Sequence, residues 1–318
     1  MLPSALPTET DHVPVLADEV LSSLAPRPGE TLIDCTFGAG GHSELLVRRL
    51  RGEGKLIAID RDPTVAPYFE RIRRITAAKA RLLHGEFSAV LGQLAANGVR
   101  ADAILLDLGV SSMQLDRPER GFSYAADAPL DMRMDPSAEV SAQEVVNETG
   151  EWELADIFRR FGEERYARQI ARAIVRRRGK QPFERTADLV ETIKQSIPAP
   201  ARFGEGHPAR RVFQALRIEV NDELGSLERA LPAALEMLRP HGRLAVISFH
   251  SLEDTIVKRF LRENEHGCTC PPGFPVCACG ATPALRATPR RAIRPSAAEI
   301  ARNPRAQSAR LRVAVKVG

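Results

Sequence analysis

Short apolar runs alternate with longer amphipathic stretches over the first third of the chain. The runs at Thr31–Ile33, Lys55–Ile59, Arg81–His84 and Ala103–Leu106 predict four β-strands, and the stretches between them, including Phe87–Ala96, predict helices. Strands that alternate with helices form a parallel sheet that is covered on both faces. This part of the sequence therefore predicts an α/β fold with a doubly wound sheet.

The alternation of strands and helices stops after Leu106. Residues 108–136 carry scattered glycines and prolines and predict a loop, whereas the periodicity over residues 141–196 is helical. Within that helical stretch, Trp152 falls among apolar residues that we expect to face a core. A long helix is then predicted at Arg211–Leu238.

Two strand-like runs return near the C-terminal end. Arg243–Ser248 predicts a fifth strand, and Ala309–Val317 predicts an edge strand that closes the sheet. We therefore predict a discontinuous α/β domain at residues 1–115 and 210–318, interrupted by an inserted helical domain at residues 116–209.

The composition is that of a soluble globular protein. The 318 residues are 43% hydrophobic and 27% charged, and no apolar run reaches the length of about 18 residues typical of a membrane span. The N-terminal stretch has neither the basic nor the apolar region of an export signal. We therefore expect a cytoplasmic protein without a membrane partner.

Charge is distributed unevenly along the chain. Residues 1–157 contain 15 Lys and Arg against 25 Asp and Glu, whereas residues 158–318 contain 30 against 16. A GC-rich genome would explain why 39 of the basic residues are Arg, but not why the excess lies in one half. The basic half indicates contact with a polyanion.

Glycines crowd between the first predicted strand and the helix that follows it. Gly38, Gly40 and Gly41 follow an apolar run that ends in Asp34, and Asp60 ends the next strand twenty residues after Gly40. Glycines permit a tight turn close to a ligand, and an acid at the end of the second strand suits a ribose diol. This unit predicts a nucleoside cofactor; the alternative is a turn that only reverses the chain.

The glycine spacing favours one class of cofactor. It matches neither the G-x-G-x-x-G turn of dinucleotide sites nor a P-loop, so the sequence gives no sign of a pyrophosphate site. An acid four residues before the first glycine is instead the pattern of S-adenosylmethionine sites.

Asp107 ends the fourth predicted strand. Ligands of open parallel sheets bind off the carboxyl ends of the strands, so this carboxylate would lie in the cleft. There it could hold an amine in line with a methyl donor and receive the proton of that amine. The alternative role is to cap the turn that follows the strand.

Nine segments of the chain, taken in order, carry a resemblance to a known family. They are LIDCTFGAGGHS, IAIDRDP, HGEFS, LLDLGVSSMQLD, ERGFSY, PLDMRMD, GEERYARQIARAIV, FQALRIEVNDEL and ISFHSLEDTIVKRF. Together they resemble the bacterial small-subunit (16S) ribosomal RNA cytosine-N4 methyltransferase family. The resemblance implies a Rossmann-like class I methyltransferase domain, S-adenosylmethionine as cofactor, and methylation of N4 of a decoding-region cytidine, with 16S rRNA in the small ribosomal subunit as partner.

The resemblance also implies which residues bind the cofactor. Asp60 would hold the ribose, and Phe87 would lie beside the adenine, although a phenylalanine is by type more often a core residue. His42 begins the helix after the glycine turn and could equally act as a helix cap. The full implied set is Gly40, Gly41, His42, Asp60, Phe87, Asp107 and Gln114.

The segment ISFHSLED brings further polar side chains to the end of the fifth strand. His250 and Ser251 would face the same cleft as Asp107, and we expect one of them to contact the target cytosine. The alternative is an ordinary helix start, with Ser251 followed two residues later by Glu253.

A basic stripe recurs on one face of the predicted insert. Arg168, Arg172 and Arg176 are spaced four residues apart, and Arg210 and Arg211 begin the return helix. We expect these side chains to bind RNA phosphates. The alternative is a solvated helix face whose arginines pair with Glu163 and Glu164.

Four cysteines cluster near the C-terminal end of the chain. Cys268, Cys270, Cys277 and Cys279 could bind a structural Zn²⁺ through four thiolates, although C-x-C is tighter than the usual spacing of zinc ligands. The alternative is a reduced loop shaped by its prolines.

Three functions compete for these features. An S-adenosylmethionine-dependent rRNA methyltransferase is favoured over a non-catalytic ribosome- or RNA-binding factor, because a pure binder needs neither Asp107 nor the cofactor turn. A dinucleotide-dependent oxidoreductase is disfavoured by the glycine spacing. The sequence predicts neither the oligomeric state nor whether free RNA, an assembly intermediate or the mature subunit is the substrate.

Overall fold

The structure is a computed structural model that describes residues 14–202, 206–266, 279–280 and 282–318. The chain forms two compact units. The first unit comprises residues Met1–Gly109 and Leu227–Gly318, and the second comprises Val110–Ser226. The insert predicted at residues 116–209 lies within the second unit, which extends beyond it on both sides, and its role in RNA recognition stays a prediction.

Within the described residues, the first unit contains one sheet of seven strands. Its spatial order is β3-β2-β1-β4-β5-β7-β6, in which β7 is antiparallel to both of its neighbours and the other pairs are parallel. This order is the Rossmann-like topology of class I methyltransferases, so the predicted fold class is confirmed. The strands are β1 Thr31–Asp34, β2 Lys55–Asp60, β3 Lys79–His84, β4 Ala101–Asp107, β5 Leu238–Ser248, β6 Leu285–Ala287 and β7 Arg310–Lys316.

Helices cover the sheet and build the second unit. Within the described residues, no helix combines the length and apolar character that a membrane crossing requires. The helices are α1 Ala17–Leu24, α2 Gly41–Arg49, α3 Ala66–Ile75, α4 Phe87–Ala96, α5 Ser112–Leu115, α6 Ala142–Glu148, α7 Glu151–Gly162, α8 Ala167–Arg178, α9 Thr186–Ser196, α10 Ala199–Arg202, α11 Arg210–Asn221, α12 Glu223–Met237, α13 Ser251–His266 and α14 Ala297–Arg302.

Burial explains why the central strands were easy to predict. Ile104, Leu105 and Leu106 of β4 are all buried, as are Val246 and Ile247 of β5. Parallel strands that are covered on both faces read as continuous apolar runs rather than alternating ones. The five strands predicted from such runs are present, and α4 has the predicted bounds.

Two predicted elements differ from the structure. The last apolar run, β7, is not the sheet edge, because it pairs with β5 on one side and with β6 on the other. The edge strand β6 has only three residues, too few to show a period. The long helix predicted at Arg211–Leu238 is two helices, because Asp222 adopts a left-handed backbone with φ +46° between them.

The second unit has its own core of apolar side chains, which come mainly from helices α6 to α9 and α11 and include the buried Phe158 and Phe183. Hydrogen bonds stabilise the loop after α5 internally and connect it to α11. Arg120 donates to the carbonyls of Arg133 and Met134, and Asn221 bonds the backbone around Met134 from α11. The loop is therefore part of the unit.

Trp152 does not face this core, contrary to our expectation. Its side chain is 74% exposed, whereas Leu154 is fully buried. Residues two apart on a helix point about 200° away from each other, so one face cannot hold both side chains. Trp152 also lies in the first turn of α7, where no preceding turn of the helix lies beneath its ring.

Candidate active site

The glycine turn between β1 and α2 depends on its glycines. Gly38 and Gly40 have φ values of +53° and +78°, in the left-handed region that favours glycine. A Cβ atom on Gly40 would lie 2.7 Å from the ring of Phe37, so no larger residue fits there without a shift. The turn leaves α2 to begin at Gly41, with His42 as its second residue.

Asp60 ties this turn to the end of β2. Its two carboxylate oxygens accept the backbone N–H groups of Gly38 at 2.7 Å and Asp62 at 2.8 Å. Burial raises the pKa of Asp60 to about 6, and the nearby charges of Asp62 and Asp34 act in the same direction. The predicted ribose-binding acid therefore lies beside the glycines, as the spacing indicated.

Asp34 holds the first turn of α2 through a hydrogen bond. It is 2% exposed and accepts hydrogen bonds from the hydroxyl of Ser43 at 2.7 Å and the N–H of Thr36 at 3.1 Å. Burial raises the pKa of its carboxyl. The acid that precedes the glycines thus has a structural role.

His42 and Asp107 meet at the carboxyl edge of the sheet. His42 Nε2 lies 3.5 Å from Asp107 Oδ2, and His42 is only 6% exposed. The backbone N–H of Asp107 donates to Thr36 Oγ1 at 2.6 Å, which joins the ends of β1 and β4. Sequence reasoning missed Thr36, although its place two residues after Asp34, at the end of the same strand, was a usable signal.

The His42–Asp107 pair is incomplete. Both ring nitrogens of His42 and Oδ1 of Asp107 are buried and make no hydrogen bond to any described residue. Because nearly all buried polar atoms in proteins have a partner, such atoms call for an explanation, and a ligand is one. The pair therefore has three polar atoms that a bound molecule can satisfy.

Phe87 lies on the same edge of the sheet. Gly85 N–H donates to the carbonyl of Asp60 at 2.9 Å, so the chain leaving β3 runs beside the end of β2. Glu86 then caps α4 by accepting the N–H groups of Ser88 and Ala89. Phe87 is the first residue of that helix and is half-buried, and its predicted place beside the adenine stays a prediction.

His250 and Ser251 follow the end of β5, the strand next to Asp107. Asp107 is in register with Ile247, three residues before His250. Glu253 is 2% exposed, accepts the N–H groups of Phe249 and His250, and lies 3.2 Å from His250 Nε2. Ser251 is exposed as the first residue of α13. The arrangement places both predicted residues at the same edge as Asp107.

Asp254, the residue after Glu253, belongs to a cluster in which both carboxylate oxygens have hydrogen-bond partners. The sequence did not predict this cluster. Its carboxylate accepts hydrogen bonds from Arg312 at 2.7 and 3.1 Å and from Arg310 at 2.8 Å. Burial alone would raise the pKa of Asp254, but the hydrogen bonds and charges of the two arginines outweigh it and lower the pKa. This cluster fastens α13 to β7.

Gln114 has a defined local role in the second unit. Its Oε1 accepts the N–H of Ser111 at 3.0 Å, while its own N–H donates to Ser111 Oγ at 3.3 Å. These two bonds form a capping box at the start of α5. Gln114 is 5% exposed, and its predicted contact with the cofactor stays a prediction.

The predicted basic stripe lies along the exposed side of α8. Arg168, Arg172 and Arg176 are exposed, and Arg172 lies 3.5 Å from Glu151. The alternative interpretation predicts that the arginines pair with neighbouring acids. One of these acids, Glu164, is largely buried and accepts the backbone N–H of Tyr166 instead. The stripe therefore projects from the second unit.

Arg210 and Arg211 begin α11, and both are exposed. Arg211 donates to the carbonyl of Glu163 at 3.0 Å. Of the four clustered cysteines, Cys268, Cys270 and Cys277 lie outside the described residues, so the zinc site stays a prediction.

A family model and two relatives match most of this chain. Residues 9–317 match the model of the MraW methylase family. The ribosomal RNA small subunit methyltransferases H of Heliobacterium modesticaldum and Geobacter sulfurreducens are 52% and 50% identical to this chain, each over 96% of it and over 98% and 99% of their own lengths. The solved structure of an rRNA methylase from Streptococcus thermophilus covers 99% of this chain and 100% of its own, with a TM-score of 0.42 and 10% identity.

The family match spans residues 9–317, a range that contains the glycine turn, Asp60 and Asp107, and each of the two relatives covers 96% of the chain. The chain belongs to the MraW methylase family.

Proposed function

We propose that this protein transfers the methyl group of S-adenosylmethionine to the exocyclic N4 amine of a decoding-region cytidine in small-subunit (16S) ribosomal RNA. Family membership supports methyl transfer, and the names of the relatives support small-subunit rRNA as substrate. The observation that carries the proposal is the incomplete pair of His42 and Asp107, with its three unpartnered buried atoms.

The residues at the sheet edge fit the cofactor. A carboxylate has about four acceptor positions, so Asp60 can still accept ribose hydroxyls after its two backbone N–H groups. Gly40 and Gly41 lie at the start of α2, where an anionic carboxylate is favoured, and the ring of His42 can donate there. When bound, the cofactor supplies an electrophilic methyl group on a sulfonium.

Asp107 positions the target amine. Its unpartnered Oδ1 would accept a hydrogen bond from the N4 amine and so would orient the nitrogen towards the methyl group that the cofactor supplies. As the nitrogen gains the methyl group it loses a proton, which this carboxylate receives. His42 Nε2 lies 3.5 Å from the other oxygen without a hydrogen bond to it, so both side chains face the same ligand.

His250 and Ser251 would contact the cytosine ring from the neighbouring strand end. The register of β4 and β5 supports this assignment, since both strands end at the same edge. Replacing each residue with alanine should lower methyl transfer without lowering cofactor affinity. Unchanged transfer in both variants would remove these two residues from the site.

The second unit would bind the RNA. Arg168, Arg172, Arg176, Arg210 and Arg211 are exposed there and suit phosphates, and the predicted insert at residues 116–209 includes the first three. An N4 amine is hidden in paired RNA, so the target base must be presented unpaired or flipped out. A non-catalytic binding factor would use the same arginines but would have no use for Asp107.

The test is methyl transfer with a labelled cofactor. The purified protein is incubated with cofactor carrying a labelled methyl group and with either small or large ribosomal subunits from cells that lack this activity. We expect label in the RNA of the small subunit only. Equal label in both subunits, or none in either, would contradict the proposal, and Asp107→Asn serves as the matched inactive control.

A further inference from the structure

The one tryptophan of the chain lies on the surface of the second unit. Trp152 is 74% exposed, the most exposed of the large apolar side chains among the described residues. Burying a ring as large as indole stabilises a protein, and an exposed indole does not contribute this stabilisation. Exposed aromatic rings are characteristic of binding surfaces. Its exposure therefore needs an explanation in terms of what binds it.

One arginine of α8 lies over this ring, and two more continue the row along the helix. The guanidinium carbon of Arg168 lies 5.3 Å from the ring centroid, within the range of a cation–π interaction. Arg172 and Arg176 follow at intervals of one helical turn on the same face of α8. An aromatic ring beside a row of arginines is the combination that single-stranded nucleic acids bind, with bases on the ring and phosphates on the guanidinium groups.

Acidic side chains near Trp152 do not cancel this charge. Glu151 lies 3.5 Å from Arg172, and Glu153 is exposed next to Trp152. Arg159 and Arg160 share the single carboxylate of Asp156. The exposed arginines of α7, α8 and the turn between them outnumber these acids, and they are Arg159, Arg160, Arg165, Arg168, Arg172 and Arg176.

We propose that Trp152 and Arg168 form a stacking platform for an unpaired base of the substrate rRNA, with Arg172 and Arg176 holding the adjoining phosphates. The inference rests on the proposed function, because it takes RNA as the substrate. A second copy of this chain is a poor occupant of the surface, since it would bring the same arginines together and the like charges would repel. RNA instead supplies both the π faces and the negative charge.

Trp152 is its own reporter, because no other tryptophan contributes to the fluorescence of the protein. The full-length protein is titrated with unstructured oligocytidylate and, in parallel, with an abasic strand of the same length and charge. We expect the base-bearing strand, once saturating by anisotropy, to quench the emission and to protect the indole from acrylamide. The abasic strand should do neither. Emission and acrylamide access that stay unchanged at saturation would overturn the proposal.

Variants separate stacking from charge. Trp152→Ala should weaken binding of the base-bearing strand about fivefold to a hundredfold, with Trp152→Phe close to wild type, because stacking needs a π face. Trp152→Leu, which is apolar but has no π face, should remain as weak as the alanine variant. Full affinity in Trp152→Leu would contradict stacking. The salt slope of binding should be the same in all three, because none removes a charge.

The proposed function and this inference can fail separately. If small-subunit RNA receives methyl groups at the wild-type rate in Trp152→Ala and the indole is silent towards RNA, only the platform is wrong. If no RNA is methylated but the indole is still quenched by base-bearing strands, the platform stands and the proposed reaction is wrong. Because Trp152 is exposed, the thermal unfolding midpoint of Trp152→Ala should match that of the wild type.

Discussion

Two buried polar clusters in the first unit differ in whether they are complete. Asp254 is 6% exposed, and both of its oxygens accept hydrogen bonds from Arg310 and Arg312. His42 is also 6% exposed, yet both of its nitrogens and Oδ1 of its neighbour Asp107 make no hydrogen bond to the described residues. Asp254 and His42 are therefore equally buried, but only Asp254 has hydrogen-bond partners for its side-chain polar atoms.

The difference separates a structural cluster from a functional one. A buried polar atom without a partner costs about 1–3 kcal/mol, so an unliganded protein gains nothing from His42 and Asp107. Groups that cost stability in the free protein are expected where a ligand later satisfies them. Asp254 needs no ligand, because its partners are already in the chain. Each prediction below would break or sharpen this contrast.

The largest effect is expected from Asp107→Asn. The change keeps the shape of the side chain but removes the negative charge and the proton acceptor, so methyl transfer should fall by about 10²–10⁴-fold. Stability should stay the same or rise slightly, because the variant no longer buries a carboxylate with an unpartnered oxygen. Single-turnover transfer and urea unfolding measure the two quantities, and a variant that loses stability but keeps its rate would reverse our assignment.

The opposite result is expected from Asp254→Ala. Removing the carboxylate leaves Arg312 buried without its partner, while Arg310 is more exposed and can be solvated. We expect a loss of about 3 kcal/mol in the free energy of unfolding. Urea unfolding measures it. Cofactor affinity, measured by calorimetry in the fraction that remains folded, should be unchanged.

The pH dependence of the stability lost in Asp254→Ala tests whether the ion pair is the cause of that loss. Because the pKa of Asp254 is lowered in the folded state, its contribution to stability is complete above the ordinary value of 3.8 and disappears as the pH falls through the folded pKa. The gap between wild type and Asp254→Ala should therefore close in acid. A gap that persists at the lowest pH at which both fold would show that the ion pair is not its source.

A smaller effect is expected from the titration of Asp60. Its pKa is about 6 in the free protein, whereas ribose hydroxyls that donate to it would favour the charged form. Cofactor binding should thus release a proton, and the affinity should fall about tenfold between pH 7 and pH 5. Calorimetry at several pH values checks this. Asp60→Asn should bind weakly without the pH step, and a step that survives in that variant belongs to another group.

The smallest effect is expected from single arginines of the stripe. Arg176→Gln should reduce the slope of log affinity against log salt by about 0.7, the value for one phosphate contact with a single strand. Cofactor affinity should not change. Arg178→Gln is a matched comparison from the same helix, because Arg178 is occupied by the carbonyls of Val146 and Thr149 and should leave the slope unaltered. Equal slopes in all three proteins would exclude Arg176 from the RNA surface.

The sequence was sufficient where burial and glycine geometry dominate. The central strands read as apolar runs because helices cover both of their faces, and the spacing from Gly40 to Asp60 follows from one strand–helix–strand unit. These features depend on residues close together in the chain. Asp107 joins the turn and Asp60 because β4 pairs with β1 and ends at the same edge of the sheet.

The sequence was insufficient where the outcome depends on distant residues. Asp254 is paired by arginines more than fifty positions later, and nothing near it in the sequence indicates this. The break at Asp222 is hidden because Asp is compatible with a helix, and only its positive φ reveals the end of α11. Trp152 was wrongly predicted to face the core because it directly precedes the apolar residues of α7. The buried face of that helix begins only at Leu154.

Nucleoside analysis of the methylated RNA tests the central claim most directly. Small subunits that lack the modification are treated with the protein and labelled cofactor, and their RNA is digested and analysed by mass spectrometry. We predict that the label appears as N4-methylcytidine and that it disappears with Asp107→Asn. Label on the C5 carbon of cytosine, on another base or on a ribose hydroxyl would contradict the account, because none of these products requires a carboxylate placed to hold an exocyclic amine.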